Sequence, residues 1–181
     1  MQAIKQPPLL FRAHVSDPPW RFGDKLPGPG RGAAKHYPTM SLAEIKAFPQ
    51  PRMLDDSMLF LWRVSAMVEE AYEVVRAWEF VPKSEIVWAK RTAKGKRHFG
   101  MGRYVRAEHE TCIIATRGSV KVDDRSIRSI FEAEAGEHSA KPDEFYRIVQ
   151  QITFGPFVET FARKQRVGWH GFGNEMAVAH P

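Results

Sequence analysis

The chain has 181 residues, 20.7 kDa and a net charge of +6, enough for one domain with a sizeable core and too little for separate substrate and cofactor modules. Apolar residues at 43% and charged residues at 27%, with 13 Gly and 13 Pro, exclude a disordered, collagen-like or low-complexity chain. A single cysteine, Cys112, excludes an intramolecular disulfide framework and a multi-cysteine metal centre; with no signal-like N-terminus and no membrane-length apolar run, the expectation is a soluble, cytoplasmic protein in a reducing compartment.

Phe11 to Ser16 reads as a short strand, ended by Asp17-Pro18-Pro19, where two prolines remove two backbone donors. Residues 23–36, with four Gly, two Pro and no apolar periodicity, predict a long flexible loop. Ser41 and Glu44 have capping-box spacing and open a helix over 42–48 that Pro49 and Pro51 stop. Met58 to Val64 is an almost unbroken apolar run, suited to a strand buried on both faces. Val68, Ala71, Tyr72, Val75 and Trp78 then recur at helical spacing, and Ile86 to Trp88 forms the next strand. Parallel pairing of these two strands through the helical crossover is expected.

Thr111 to Thr116 and, more weakly, Ile127 to Phe131 read as strands. Pro142 falls in the first turn of a helix over 143–152, whose Phe145, Ile148, Val149 and Ile152 share a face. Phe157 to Phe161 and Val167 to Phe172 complete an α/β pattern: a mostly parallel central sheet with helices on both faces, in one domain spanning 1–181.

The basic excess is local. Residues 83–106 hold Lys83, Lys90, Arg91, Lys94, Lys96, Arg97, Arg103 and Arg106 against Glu85 alone, while the rest of the chain has 19 basic and 20 acidic residues. Two readings compete: a phosphate-binding surface, or a solvated loop that keeps the protein soluble. Phe99 and Tyr104, interleaved with these cations, favour the first, because aromatic rings stack on unpaired bases.

Asp17-Pro18-Pro19-Trp20 directly follows a predicted strand, and open parallel sheets bind ligands beyond the carboxyl ends of their strands. Asp17 offers carboxylate acceptors, the prolines carbonyls without amide donors, and Trp20 a flat π-face. Such a cleft matches a planar group bearing an NH₂. Two acceptors on its hydrogens localise the nitrogen lone pair for attack on an electrophilic methyl group. A tight surface turn with a packed Trp is the alternative.

On this motif the chain resembles the MT-A type S-adenosylmethionine-dependent adenine N6-methyltransferases, in their phage and bacterial branch. The likeness runs from Phe11 to Glu175 through DPPW, then the blocks beginning at Tyr37, Leu59, Glu85, His109, Lys141, Glu159 and Gly173. It implies a Rossmann-like class I methyltransferase fold with circularly permuted motif order and S-adenosylmethionine as cofactor; no metal is expected, because the histidines lack ligand spacing. Asp17, Pro18, Pro19 and Trp20 would form the catalytic motif, with Trp20 and Tyr37 bordering the adenine and Glu110 near the base. Asp17, Lys141, Glu159, Arg163, Gln165, Asn174 and Glu175 would surround the cofactor. A helix-start lysine and a strand-entrance charge are the plainer readings of Lys141 and Glu110.

Thr160 and Phe172 depart from the family pattern, where an aliphatic residue and Trp are common, and are expected to preserve packing. The reaction so implied is methylation of adenine N6 in DNA with base flipping, Lys94, Lys96, Arg97, Arg103 and Tyr104 contacting the nucleic acid. RNA is the alternative substrate, and a non-catalytic nucleic-acid-binding subunit the alternative role. With no recognition domain evident, target choice is assigned to the domain's own loops or to a partner subunit, a homodimer included.

Overall fold

The computed structural model describes residues 9–21, 38–100, 104–136 and 140–173. The elements run β1 (Phe11–Ser16), α1 (Leu42–Lys46), β2 (Met53–Arg63), α2 (Val68–Ala77), β3 (Val81–Arg91), β4 (His109–Arg117), β5 (Ile130–Glu134), α3 (Asp143–Ile152), β6 (Phe157–Thr160) and β7 (Trp169–Phe172). Seven strands form one sheet in the order β5-β3-β4-β2-β1-β6-β7. β1 pairs parallel with β2 and β6, β6 with β7, and β3 with β5. β4 is antiparallel to both its neighbours, β2 and β3. The sheet is therefore mostly parallel, and the fold is of the Rossmann-like α/β kind.

One expectation is corrected. β2 and β3 point the same way but are not paired, because β4 lies between them. Among its described residues the segment 92–108 contains no crossover helix, and the chain leaving β3 returns antiparallel as β4, inserted into the gap left by α2. Boundaries also move. β2 and β3 start earlier than their apolar runs, β5 lies at 130–134, and Val167 is fully exposed outside β7. Pro142 is the N-cap of α3, in extended conformation, and does not belong to its first turn.

Period-two alternation sorts the sheet's side chains onto two faces. Ala13, Val15, Met58, Phe60, Trp62, Ile86, Trp88 and Cys112 pack with α3 through Phe145, Ile148, Val149 and Ile152. Leu59, Leu61, Ile113 and Ala115 pack with Ile45 of α1 and Ala71, Val74 and Val75 of α2. The middle of β2 is buried on both faces, as its sequence predicts. The Ser41 capping box is formed: Ser41 Oγ accepts the Glu44 amide, and Glu44 accepts the Ser41 amide.

The crossover from β1 through α1 places β2 on one side of β1, and the crossover through α3 places β6 on the other. With α1 and α3 on opposite faces, the carboxyl ends of β1 and β6 flank a topological switch point, where an open sheet leaves a crevice. Among the described residues no helix is long and apolar enough to cross a membrane, and no group of three His, Cys, Asp or Glu side chains is arranged to hold a metal ion.

Candidate active site

A cleft of about 230 Å³ opens at this edge of the sheet. Its walls come from the strand ends: Asp17 to Trp20 after β1, Arg63 to Ser65 at the end of β2, Lys90 near the end of β3, and Arg163 after β6. Because β4 runs the other way, it contributes its beginning, His109 and Glu110. Lys141, just ahead of α3, closes the floor.

Four charges form a chain through this floor. Lys141 Nζ lies 2.6 Å from Asp17 Oδ2 and 3.1 Å from Glu110 Oε2, and Lys90 Nζ lies 2.5 Å from Glu110 Oε1. Burial works against the Lys141 ammonium, but Asp17 and Glu110 outweigh it and hold its pKa above the ordinary lysine value. Burial likewise disfavours the Glu110 carboxylate, yet Lys141 and Lys90 keep its pKa below the ordinary value. Lys141 and Lys90 also face the rings of Trp62 and Trp88, each at 5.1 Å.

The Asp17-Pro-Pro-Trp turn combines both of its sequence readings. Pro18 O accepts the Trp20 amide at 2.8 Å, and Pro19 O accepts the Met40 amide at 2.8 Å. Trp20 is 3% exposed and donates its indole N–H to Trp62 O at 3.1 Å. Trp20 is therefore a packed anchor that edges the cleft; it offers no open stacking face. What remains for a ligand is the second oxygen of Asp17 and the second lone pair of Pro18 O.

Glu159, on β6, pairs in register with Val15 and is nearly buried. Tyr146 donates to its Oε1 at 2.6 Å, and Arg166 Nε lies 3.6 Å from its Oε2. Burial dominates and raises the Glu159 pKa above its ordinary value despite both partners. Arg166 lies over the Tyr146 ring at 3.5 Å, while its Nε is buried with no hydrogen-bond partner. Gln165 Nε2 donates to Trp169 O at 2.9 Å, which braces the loop into β7. Gly173 packs so closely on Ala162 that a Cβ there would sit 2.3 Å from its carbonyl oxygen.

The basic segment splits. Lys90 points into the cleft, Arg91 pairs with Glu132 and Arg97 with Glu108. Lys83 sits toward the opposite end of β3, near the Pro82 and Ala115 pairing. Lys94 and Lys96 are exposed on the turn that follows β3 and form no ion pair among the described residues. Beyond the turn, Phe99 is 52% exposed with Arg106 over its ring at 5.3 Å, and Tyr104 is 89% exposed. Tyr37, Arg103, Asn174 and Glu175, and the whole of 23–36, lie outside the described residues.

Sequence reasoning does not single out Arg63, Lys90, His98 or His109 as individual wall residues, nor Tyr146 and Arg166 around Glu159. For Arg63 and Lys90 a signal exists, since both close strands at the edge where ligands bind. Arg63 is fixed there by Glu85, whose Oε1 takes its Nε and Nη2 at 3.2 Å each and the Tyr72 hydroxyl at 3.3 Å.

The MT-A70 family matches residues 11–175 of this chain. An N(6)-adenosine-methyltransferase MT-A70-like protein of Arabidopsis thaliana is 28% identical across 92% of this chain and 24% of its own length. The N(6)-adenosine-methyltransferase catalytic subunit METTL3 of Homo sapiens is 26% identical across 94% of this chain and 29% of its own. The type II methyltransferase M.MunI of a Mycoplasma species is 26% identical across 94% of this chain and 79% of its own. The chain thus spans about a quarter of the length of its plant and animal relatives and most of the bacterial one. With the motif blocks in order, the switch-point cleft in place and the match covering nearly every residue, the chain belongs to the MT-A70 family.

Proposed function

We propose that this chain is an S-adenosylmethionine-dependent methyltransferase acting on the N6 amine of adenine in DNA. The observation that carries the reading is the braced Asp17: a carboxylate at the carboxyl end of β1, one oxygen held by Lys141 at 2.6 Å, the other left for a donor in the cleft beside Pro18 and Pro19, which carry no amide hydrogen.

The donor set suits the cofactor. Lys141 is a buried cation that can meet a carboxylate, Glu159 keeps acceptor capacity beside its Tyr146 bond, and Arg166 Nε is a buried donor that makes no hydrogen bond although it lies 3.6 Å from Glu159 Oε2. Lys141, Glu159, Arg163, Gln165 and Arg166 would hold it, with Asn174 and Glu175 completing the set. When bound, it supplies an electrophilic methyl group.

The chain's own residues do the rest. Asp17 and Pro18 O accept the two amine hydrogens, which fixes the nitrogen plane and turns its lone pair away from the ring. Lys141 locks the Asp17 rotamer, and Glu110 with Lys90 locks Lys141. The proton shed by the methylated nitrogen passes to Asp17 or to solvent in the cleft.

Coverage of 79% of a type II methyltransferase supports DNA as the substrate. The exposed rings of Phe99 and Tyr104 suit an unpaired strand and support RNA as the second reading, with the adenosine-methyltransferase relatives on its side. METTL3 is named as a subunit, which keeps a partner chain or homodimer within the proposal.

Transfer of labelled methyl to duplex DNA, single-stranded DNA and RNA, followed by digestion to nucleosides, tests the reading. Label in N6-methyldeoxyadenosine that disappears in Asp17→Ala is expected. Label confined to RNA moves the substrate to the second reading, and label that persists in the variant refutes the role of Asp17.

A further inference from the structure

The even-numbered side chains of β1 and β6 hold a group of buried polar atoms used by neither the amine site nor the cofactor residues. His14, Ser16 and Thr160 are 0%, 0% and 2% exposed, on the sheet face that elsewhere carries Leu59, Leu61, Ile113 and Ala115. Strand register sets Ser16 beside Thr160. Thr160 Oγ1 donates to Ser16 Oγ at 2.9 Å and lies 2.8 Å from His14 Nε2. With its proton committed to Ser16, Thr160 accepts from His14, so Nε2 carries the imidazole hydrogen and Nδ1 the lone pair.

The rest of the ring is packed. His14 stacks on Trp78 at 5.7 Å and 21°, and Trp78 in turn donates its indole N–H to Ile45 O at 3.2 Å. His14 Nδ1 has no partner. The tautomer with hydrogen on Nε2 leaves a lone pair unpaired there, and the other tautomer would leave a buried donor unpaired.

Three polar side chains are costly on an apolar face, and an aliphatic residue at 160 would fill the space. What the chain of bonds adds is a cross-strand link at the point where both strands hand over to the site. Asp17 follows Ser16, and Glu159 precedes Thr160. At Phe161 the backbone leaves β6 with φ +59°, in the left-handed region that aromatic residues seldom occupy, and leads to Arg163 on the cleft wall.

We propose that the His14–Thr160–Ser16 hydrogen-bond chain is a positioning device that fixes the spacing between Asp17 and Glu159 across the switch point. The proposal rests on the reading of Asp17 as the amine-binding residue. His14 and Thr160 touch no reactant in it; they act through the ends of β1 and β6.

Amide hydrogen exchange and single-turnover methyl transfer on Thr160→Val, Thr160→Ser and His14→Phe test it. In Thr160→Val, which keeps the volume and removes both bonds, the amides of Asp17, Thr160 and Phe161 should exchange about tenfold faster, as expected for one lost buried hydrogen bond, while β3 and β5 stay unchanged. Methyl transfer should fall about tenfold with KM and cofactor affinity within about twofold, and Thr160→Ser should restore both readouts. Unchanged exchange and rate, or faster exchange spread evenly over the sheet, would overturn the proposal. Should Thr160→Val not fold, His14→Phe, which keeps the stack on Trp78 and removes the Nε2 donor, takes its place with the same expectations. A wild-type protein without methyl transfer would refute the proposed reaction, and the exchange comparison would decide on the positioning device by itself.

Discussion

Lys90 and Lys141 on one side, and Lys94, Lys96 and Arg97 on the other, are the same kinds of residue put to opposite uses. The first pair is mostly buried against Asp17 and Glu110, whereas the second group stands in solvent on the turn that leaves β3. A buried cation between two carboxylates defines a geometry, because each partner loses more when left alone than the pair gains by forming. An exposed cation defines no geometry; it supplies long-range attraction that salt screens. Net charge alone cannot tell the two apart, but the fold does.

The largest expected effect comes from breaking the buried side. Lys141→Met leaves Asp17 and Glu110 facing each other in a half-buried floor and should lower stability by about 3–5 kcal/mol in urea unfolding. Adding Asp17→Asn to Lys141→Met should recover part of that loss, since one uncompensated charge is removed; an additive outcome would mean that the ion pair is not the source. Next is Tyr146→Phe, which strips a donor from the buried Glu159 and should cost about 1–2 kcal/mol by the same measurement.

The pH dependence sharpens the same contrast between buried and exposed groups. His14 is held neutral by burial, its pKa pushed down to about 3 from an ordinary 6.5. Below pH 6.5 the unfolded chain takes up a proton that the folded chain refuses, so stability should fall steadily from pH 6.5 toward 3. Glu110, held below its ordinary pKa, adds a further loss as pH drops through its lowered value. His14→Phe should flatten the stability profile between pH 6.5 and 4.5. An unaltered profile would mean that His14 is not buried as described.

The smallest effect on stability belongs to the exposed side. Replacing Lys94, Lys96 and Arg97 together by Ala should leave unfolding free energy within about 0.5 kcal/mol, because Arg97 gives up only a solvent-exposed pair with Glu108. Nucleic-acid binding should weaken, and the slope of log affinity against log salt should drop by roughly 0.9 for each duplex phosphate that the variant no longer neutralises. An unchanged slope would return this turn to the solubility reading.

Much of the fold is legible because its signals are local. The Ser41–Glu44 spacing, the apolar run of β2 and the apolar face of α3 each stand in one stretch of sequence, and each forms. The insertion of β4 between β2 and β3 is readable in principle, since the sequence of 92–108 has no apolar periodicity for the helix that a parallel return requires. It is hidden by the habit of strand–helix–strand units to pair directly. The site divides in the same way. Asp17, Pro18 and Lys141 stand out by motif and position, whereas the sequence leaves Trp20 between a flat ligand-facing ring and a packed turn, and the fold anchors it in the core through Trp62 O. His14 gives no signal, being a lone histidine in an apolar strand whose partner is 146 residues away. Arg166 is equally silent, as its partners Tyr146, Asp143 and Glu159 come together only in the folded chain.

Asp17 is the centre of the proposed chemistry, and single-turnover methyl transfer with Asp17→Asn, paired with direct measurement of S-adenosylmethionine binding, addresses it at one atom's cost in shape. Transfer to adenine should drop at least about 100-fold, the scale of removing one preorganised group at a reacting centre, with cofactor affinity changed only a few-fold. Transfer near the wild-type rate with unchanged cofactor affinity would show that the braced carboxylate does not hold the amine, and would move the chemistry elsewhere in the cleft.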